Sequence, residues 1–340
     1  MRATIPSSLA SSGRFLRALA LFMMGFLQLF SGVSWAAESK AAEGKKAPEA
    51  KQAAEEPALG PRTVKIAVVL DKLTKFEIGP GTFNSEFFVF TGCDTEPCVT
   101  DPDVSNGKVV SKEKVADLPT LKIFRVKAEL EANVDLSEFP FDKHTLPITL
   151  TDKDDDVTYV SDPALLTQFK MPSVNPEIRL AGWNVDTVLM PRVVTHKLEG
   201  GLEFKEASFD LPIARPVLAS FFKTLVPVFF MIFVAGFTLL LKAKSAAGRL
   251  TAATGGLMTV VMFHLSATSS LPPLGYLTRM DKFMLATYFV YLVNIFFAVA
   301  IVRFDEKKNE KFAELAYLIA GGAVPGLALV AWLSVFLKVV

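Results

Sequence analysis

Four carboxylates cluster near the middle of the chain, at Asp152, Asp154, Asp155 and Asp156, with Lys153 among them. Oxygen-rich clusters of this kind can hold Ca²⁺, so these residues are a candidate site for modulation by a divalent cation. The stretch matches no calcium-loop signature. A solvated acidic turn is the alternative that we favour, and we expect no resident cofactor.

The only two cysteines, Cys93 and Cys98, are close together in sequence. Arg14 and Arg17 precede a short apolar run, and small residues follow it, so residues 1–36 are interpreted as a secretory signal peptide; an uncleaved anchor helix is the alternative. Export places the cysteines in an oxidising compartment. A disulfide between them is therefore expected, and two free thiols are the alternative.

The three histidines, His144, His196 and His264, are scattered along the chain. The sequence contains no nucleotide-binding loop, no metal-ligand spacing and no plausible catalytic triad. Its formal net charge of +1 gives no indication of a nucleic-acid partner. We therefore expect neither an enzyme nor a nucleic-acid-binding protein.

A stripe of small, polar and thioether side chains lies along one face of the least apolar of four long hydrophobic segments. Steps of three or four residues collect Thr251, Gly255, Met258, Met262, Ser266 and Ser269. Polar groups that face lipid are costly, so this stripe should face protein or water. It could line an aqueous pore, or its small residues could pack against neighbouring helices. A single helix cannot enclose water, so a pore requires several subunits.

The polar half of the chain is predicted to form β-strands. Alternation with a period of two predicts a long half-buried strand over 121–136. Further strands are predicted at 65–70, 87–90, 146–150, 183–190 and 202–211, with a hairpin turn at Gly200-Gly201. Residues 63–214 are thus predicted to form an all-β, immunoglobulin-like sandwich. The preceding segment, 37–62, lacks bulky apolar residues and is predicted to be a disordered linker.

Residues 215–340 are predicted to form a four-helix transmembrane bundle, with spans at 216–241, 250–271, 283–302 and 313–337. Each span approaches the roughly 20 residues needed to cross a bilayer. Basic residues concentrate in the links after the first and third spans, which indicates that both links are cytoplasmic. The sheet domain and the C-terminus would then lie on the outer side of a bacterial inner membrane.

Three groups of residues resemble the Cys-loop receptor superfamily, and most closely the prokaryotic pentameric ligand-gated ion channels. The sequence Phe139-Pro140-Phe141-Asp142 resembles the signature loop of that family. Ala214-Arg215-Pro216 is similar to its junction between the outer domain and the membrane. Leu271-Pro272, followed by Tyr276, is similar to its linker between the second and third spans. The resemblance covers the chain from about Val64 to the C-terminus.

The resemblance implies a homopentamer in a lipid bilayer, with inorganic ions as the permeant species. The outer domain would sense an unidentified small-molecule or ionic agonist, and the stripe from Thr251 to Ser269 would face the pore, with Met258 and Met262 as its apolar constriction. The implied gating interface comprises Phe139, Pro140, Phe141, Asp142, Arg215, Pro272 and Tyr276. Within it, Asp142 and Arg215 would form a charge pair.

Some positions depart from the family pattern and leave alternatives open. Ala132 and Leu146 stand where many members have the paired cysteines, so Cys93 and Cys98 form a different bond. Gly248 stands where cation-selective members usually have Glu, so the charge selectivity is undecided. The ligand loops are reduced, which keeps a non-conducting receptor or assembly protein of the same fold as an alternative.

Overall fold

The structure is a computed structural model that describes residues 62–154, 156–197, 203–240 and 246–337. The predicted signal peptide, nearly all of the predicted linker, Asp155 and the predicted Gly200-Gly201 turn lie outside these residues.

Ten strands form two five-stranded sheets. The first sheet has the order β4-β5-β2-β1-β7 and consists of β1 (Arg62–Glu77), β2 (Thr82–Gly92), β4 (Gly107–Asp117), β5 (Leu121–Glu131) and β7 (Val157–Ser161). The second has the order β3-β6-β10-β8, with β9 also paired to β10. It consists of β3 (Pro102–Val104), β6 (Lys143–Asp152), β8 (Asn184–Val185), β9 (Met190–Lys197) and β10 (Glu203–Ala214).

The two sheets share one hydrophobic core, which explains the alternation seen in the sequence. On β5, Phe124, Val126, Ala128 and Leu130 are buried, and the charged residues between them are not. They join Ile66 and Phe87 of the first sheet and Ile148 and Leu211 of the second, all of them fully or almost fully buried. A short helix, α1 (Ala164–Gln168), covers the other face of the first sheet with Leu165 and Leu166.

Two of the predicted strands are shorter in the structure. The long strand ends at Glu131, because Ala132 donates its N–H to Gly81 O (2.7 Å) and the chain then turns into a loop. The strand predicted at 183–190 is wrong over its middle part. Asn184 and Val185 pair with β10 as β8, and Met190 pairs with β10 as the first residue of β9. Residues 186–189 belong to no strand, and there Asp186 accepts the N–H of Thr187 with its side chain (2.6 Å).

The other half consists of four helices that are long and apolar enough to cross a membrane, so the chain is a multi-pass membrane protein. The first span is built from α2 (Val217–Ser220), a π-helical turn (Phe221–Leu225) and α3 (Val226–Leu240). The second, third and fourth spans are α4 (Ala246–Thr268), α5 (Arg279–Glu306) and α6 (Glu310–Phe336). The π-helical turn is followed by Val226 and then by Pro227, which has no N–H for the regular helical hydrogen bond.

The helix ends differ from the predicted bounds by up to four residues, and two of the differences lie at the linker between the second and third spans. The second span ends at Thr268, so Ser269 and Leu271 belong to the following linker. The third span begins at Arg279, four residues before the predicted start. Its early start has a local cause: Thr278 and Asp281 form a capping box, in which each side chain accepts the other residue's N–H.

The third span is the most buried of the four. Tyr291 donates its hydroxyl hydrogen to Met231 O of the first span (2.6 Å). Asn294 Nδ2 donates to Thr238 Oγ1 of the same span (3.2 Å), and Trp332 of the fourth span donates to Thr287 Oγ1 (3.2 Å). Because lipid offers no competing hydrogen-bond partner, these contacts help to fix the bundle around its third member.

The predicted disulfide is confirmed: Cys93 and Cys98 are bonded, with their Cα atoms 5.3 Å apart. We expect the exported protein to resist a thiol-specific maleimide until it is reduced, because neither sulfur is a free thiolate. Mass spectrometry before and after reduction should show a gain of two labels only in the reduced sample. A Cys98→Ser variant is the control and should take one label without reduction, because Cys93 is partly exposed whereas Cys98 is buried. Two labels on the unreduced protein would contradict the bond.

Candidate functional site

The carboxylate of Asp142 is fully buried where the sheet domain meets the membrane helices. Arg215, between β10 and the first span, donates from Nε to Asp142 Oδ1 (2.6 Å) and from its backbone N–H to Asp142 O (3.1 Å). His144 Nε2 lies 2.7 Å from the other carboxylate oxygen. The charge pair expected between Asp142 and Arg215 is therefore present, and both oxygens of the carboxylate are hydrogen-bonded.

The surroundings of Asp142 keep it ionised. Burial by itself would raise the pKa of this carboxyl group, but the hydrogen bond from His144 and the positive charge of Arg215 outweigh burial and lower the pKa below its usual value. An ionised, buried carboxylate is stable only while its partners stay in place. The position of Arg215 at the start of the first span is thus tied to the charge of Asp142.

Aromatic rings enclose the guanidinium group of Arg215. It lies 4.5 Å from the ring centroid of Trp183 and 5.1 Å from that of Phe139, both within the range of cation–π attraction. Trp183 in turn contacts His144 (centroids 5.2 Å apart) and Phe76 at the end of β1 (5.5 Å). The rings shield the ion pair from part of the surrounding water, which strengthens it, and the Arg215 side chain stays 18% exposed.

The loop that contains Phe139 also binds the start of the third span. Arg279 N–H donates to Ser137 O (2.8 Å), and Met280 N–H donates to Phe139 O (3.0 Å). Glu138 adds an ion pair with Arg279. The first N–H groups of a helix have no partner within the helix. Here the loop supplies two of the missing acceptors, so it acts as a tertiary cap on the third span.

The linker between the second and third spans contacts the sheet domain as well. Leu136 donates its N–H to the hydroxyl oxygen of Tyr276 (2.9 Å). Pro272 lies close to the turn between β1 and β2, where a Cβ built on Gly79 would be 3.8 Å from Pro272 Cβ. Pro140 is buried and Phe141 half-buried in the same loop. The structure therefore brings the residues of the predicted gating interface into one region, which we name the junction.

The predicted stripe on the second span points away from the rest of its own chain. All six of its residues are exposed in the single chain, with Ser269 just beyond the end of the helix. The opposite face carries the buried residues Arg249, Ala253 and Val260. Gly256 lies near that face, and a Cβ there would be only 2.7 Å from the ring of Tyr291. The second span thus packs tightly on the third and leaves its polar stripe uncovered.

A polar cluster that the sequence did not reveal joins the second and third spans near the linker. His264 Nε2 lies 2.9 Å from Asp281 Oδ1, and His264 Nδ1 lies 2.7 Å from the hydroxyl of Tyr288. Asp281 also accepts from the hydroxyl of Thr278 (2.7 Å). In the sequence, this cluster is visible only as a histidine in an apolar segment and an aspartate just inside the next helix. Sequence alone does not show that the two side chains meet.

Sequence reasoning also misses part of the junction. The sequence does not indicate that His144 or Phe76 belongs to the junction. Trp183 is the first residue of the strand predicted at 183–190, and nothing in the sequence places it beside Arg215. These residues come from three strands or strand ends that are distant in sequence, so only the folded sheets bring them together.

The acidic cluster does not form a calcium site within the described residues. Asp152 Oδ2 accepts from Thr100 Oγ1 (2.6 Å), Tyr159 OH (2.6 Å) and Asp101 N (3.0 Å). Asp154 pairs with Arg62 (3.3 Å). In the part of the chain that the structure describes, no group of three or more side chains is placed to hold a metal ion. Asp152 instead fixes the strand ends around it.

Comparison of this chain with protein-family models and with curated proteins gives no match. The resemblance to pentameric ligand-gated channels therefore remains a prediction from the motifs in the sequence.

We expect Asp142 and Arg215 to be energetically coupled. Arg215→Gln should lower the free energy of unfolding by about 3–5 kcal/mol, because it leaves the fully buried carboxylate without its cation. Asp142→Asn should lower it by less, because the Arg215 side chain is 18% exposed. The double variant should cost less than the sum of the two, by about 0.5–3 kcal/mol. Denaturant or thermal unfolding of the purified protein in detergent measures all four corners of this cycle.

The exposed pair of Lys65 and Asp94, with side chains 43% and 75% exposed, is the matched control. Its cycle should show a coupling of no more than about 1 kcal/mol. Additive effects for Asp142 and Arg215 would show that the contact between them stabilises nothing.

Proposed function

We propose that this chain is a subunit of a homopentameric ion channel of a bacterial inner membrane. In this proposal the sheet domain is an immunoglobulin-like sandwich on the outer side, where it senses a small-molecule or ionic agonist. The second spans of five subunits line the pore. The observation that carries the proposal is the uncovered stripe of the second span, which lies opposite the face that packs on the third span.

The stripe supports a pore because it has the composition that a gated water path requires. Thr251 lies at one end, and Ser266 and Ser269 lie at the other, where they can hydrogen-bond to water. Met258 and Met262 lie between them, and their side chains are 64% and 60% exposed in the single chain. In a ring of subunits these thioethers would form a narrow apolar section, from which water withdraws when the section is tight.

In the single chain, the exposed face of the second span is wider than the stripe. Thr254, Thr259 and Leu265 flank the stripe and are exposed as well. In a ring, the flanks would contact the neighbouring copies while the stripe faces the axis. Arg249, which is only 1% exposed, lies on the opposite face. Its charge is therefore not part of the proposed pore lining.

The junction supports gating because it connects the sheet domain to the second span in a few steps. Movement of the loop at Phe139 is transmitted to the start of the third span through the two backbone hydrogen bonds that cap it. The third span holds the second through Asp281 and His264. A shift of the sheet domain would therefore reach the stripe through contacts that are already formed.

Assembly and conduction test the proposal. Native mass spectrometry in detergent should give a homopentamer, and vesicles that contain the protein should pass a small inorganic ion when candidate agonists, salts and pH are varied. A stable monomer or dimer would contradict the channel. A pentamer that passes no ion under any condition would favour the alternative function, a non-conducting receptor or assembly protein.

We expect Met258→Ser to raise spontaneous ion flux severalfold, since the hydroxyl offers water a partner in the apolar section and lowers the barrier to wetting. Met262→Ser should act in the same direction to an equal or smaller extent. Single-channel recording without agonist is the measurement.

Thr254→Ser is the control, because Thr254 lies off the stripe and its hydroxyl donates to Leu250 O (2.9 Å) within the helix. It should leave the spontaneous flux unchanged. If Thr254→Ser opened the channel while Met258→Ser did not, the pore-facing side of the helix would have to be reassigned.

A further inference from the structure

Two thioether side chains lie one turn apart on the uncovered stripe of the second span. Met258 and Met262 are four residues apart in α4, so they share one face of the helix and their Cβ atoms are about 5–6 Å apart. Both side chains are mostly exposed in the single chain. The middle of the stripe therefore presents a pair of sulfur atoms to whatever lies against it.

The sulfur atom of methionine is a neutral, soft metal ligand. Thioethers and thiolates select soft cations such as Cu⁺, whereas Ca²⁺ and Mg²⁺ bind oxygen ligands. The methionine side chain is unbranched and adaptable, so the sulfurs of Met258 and Met262 can turn toward one ion held between them. The pair thus has the ligand type and the spacing of a chelate for a soft cation.

The rest of the second span offers no ligand that a hard cation would prefer. The helix from Ala246 to Thr268 contains no aspartate or glutamate, and Arg249 lies on the opposite face. His264 faces the third span, where Asp281 and Tyr288 lie within hydrogen-bonding distance of its two ring nitrogens. Thioether sulfur is therefore the only ligand that the middle of the stripe presents to an ion.

The pair has space beside it and no thiol that competes with it. Gly255 precedes Met258 on the stripe, and a Cβ built on this glycine would meet no atom of the described chain within 4 Å. A thiolate would bind a soft cation in preference to a thioether. The chain has only two cysteines, however, and Cys93 and Cys98 are bonded to each other. The two methionines are thus the softest accessible ligands on the second span.

We propose that Met258 and Met262 form a binding site for a soft monovalent cation, Cu⁺ or its chemical analogue Ag⁺. Each chain supplies both thioethers, so the site rests on the exposed face of one helix and not on ion conduction. In the pore proposed above, the pairs of all subunits would meet at the axis, and a bound ion would stand in the path of permeant ions. The sulfurs would replace the hydration shell of a soft cation but not that of Na⁺ or K⁺.

Equilibrium dialysis with silver tests the proposal. The full-length protein in detergent is dialysed against silver nitrate in a buffer without chloride or thiols, and the bound silver is measured by inductively coupled plasma mass spectrometry. The double variant Met258→Leu/Met262→Leu keeps the volume and the apolar character of both side chains but removes their sulfurs. It should bind Ag⁺ more weakly than the parent by roughly tenfold or more, because the chain then has no exposed pair of methionines one helical turn apart.

The double variant Met280→Leu/Met284→Leu is the matched control. Met280 and Met284 are also four residues apart, on the third span, but they are only 1% and 0% exposed. An ion in solution does not reach their sulfurs, so this variant should bind Ag⁺ like the parent.

A large excess of sodium nitrate should leave the silver bound, because Na⁺ is a hard cation. Equal binding by the parent and by Met258→Leu/Met262→Leu would overturn the site, and so would displacement of the silver by sodium or an absence of binding in the parent. None of these measurements needs ion flux. Failure of the site would therefore leave the proposed channel standing, and a protein that passes no ion could still confirm the site.

Discussion

The ion pair between Asp142 and Arg215 holds the sheet domain to the membrane helices. A fully buried carboxylate is stable only when its charge is paired and its oxygens are hydrogen-bonded. His144 of β6 bonds one oxygen of Asp142, and Arg215, just before the first span, bonds the other. The sheet domain and the membrane helices therefore cannot separate at this point without exposing that charge to an apolar surrounding. The aromatic rings around Arg215 increase the penalty, because they keep part of the surrounding water away.

The third span is the second organising element. It is bound to the sheet domain through its capped first turn, to the first span through Tyr291 and Asn294, and to the second through His264. The hydrogen bonds of Tyr291 and Asn294 lie within the membrane spans, where water does not compete. The same helix thus connects the sheet domain and the helix whose uncovered stripe we propose as a pore lining.

Much of the fold can be predicted from the sequence, because an element that buries one face has apolar residues at a regular spacing. The alternation at Phe124, Val126 and Ala128 predicts β5, and the long apolar runs predict the four spans. The error at 183–190 has the opposite origin: the alternation continues through residues 186–189, which belong to no strand. The cluster at His264 and the rings around Arg215 depend on contacts between distant segments, and no local pattern records such contacts.

The close approach of Gly256 to the ring of Tyr291 restricts how the second span can move. Sliding this helix by one turn along the third would bring Ala253 or Val260, which share its buried face, to the position of Gly256, where even a single Cβ would lie 2.7 Å from the ring. The ring is held by its hydrogen bond to Met231. Translation between the two helices therefore requires the ring of Tyr291 to leave its place and break that bond, whereas tilting the two helices together does not. A change in the position of the stripe that keeps this contact moves both helices as a pair.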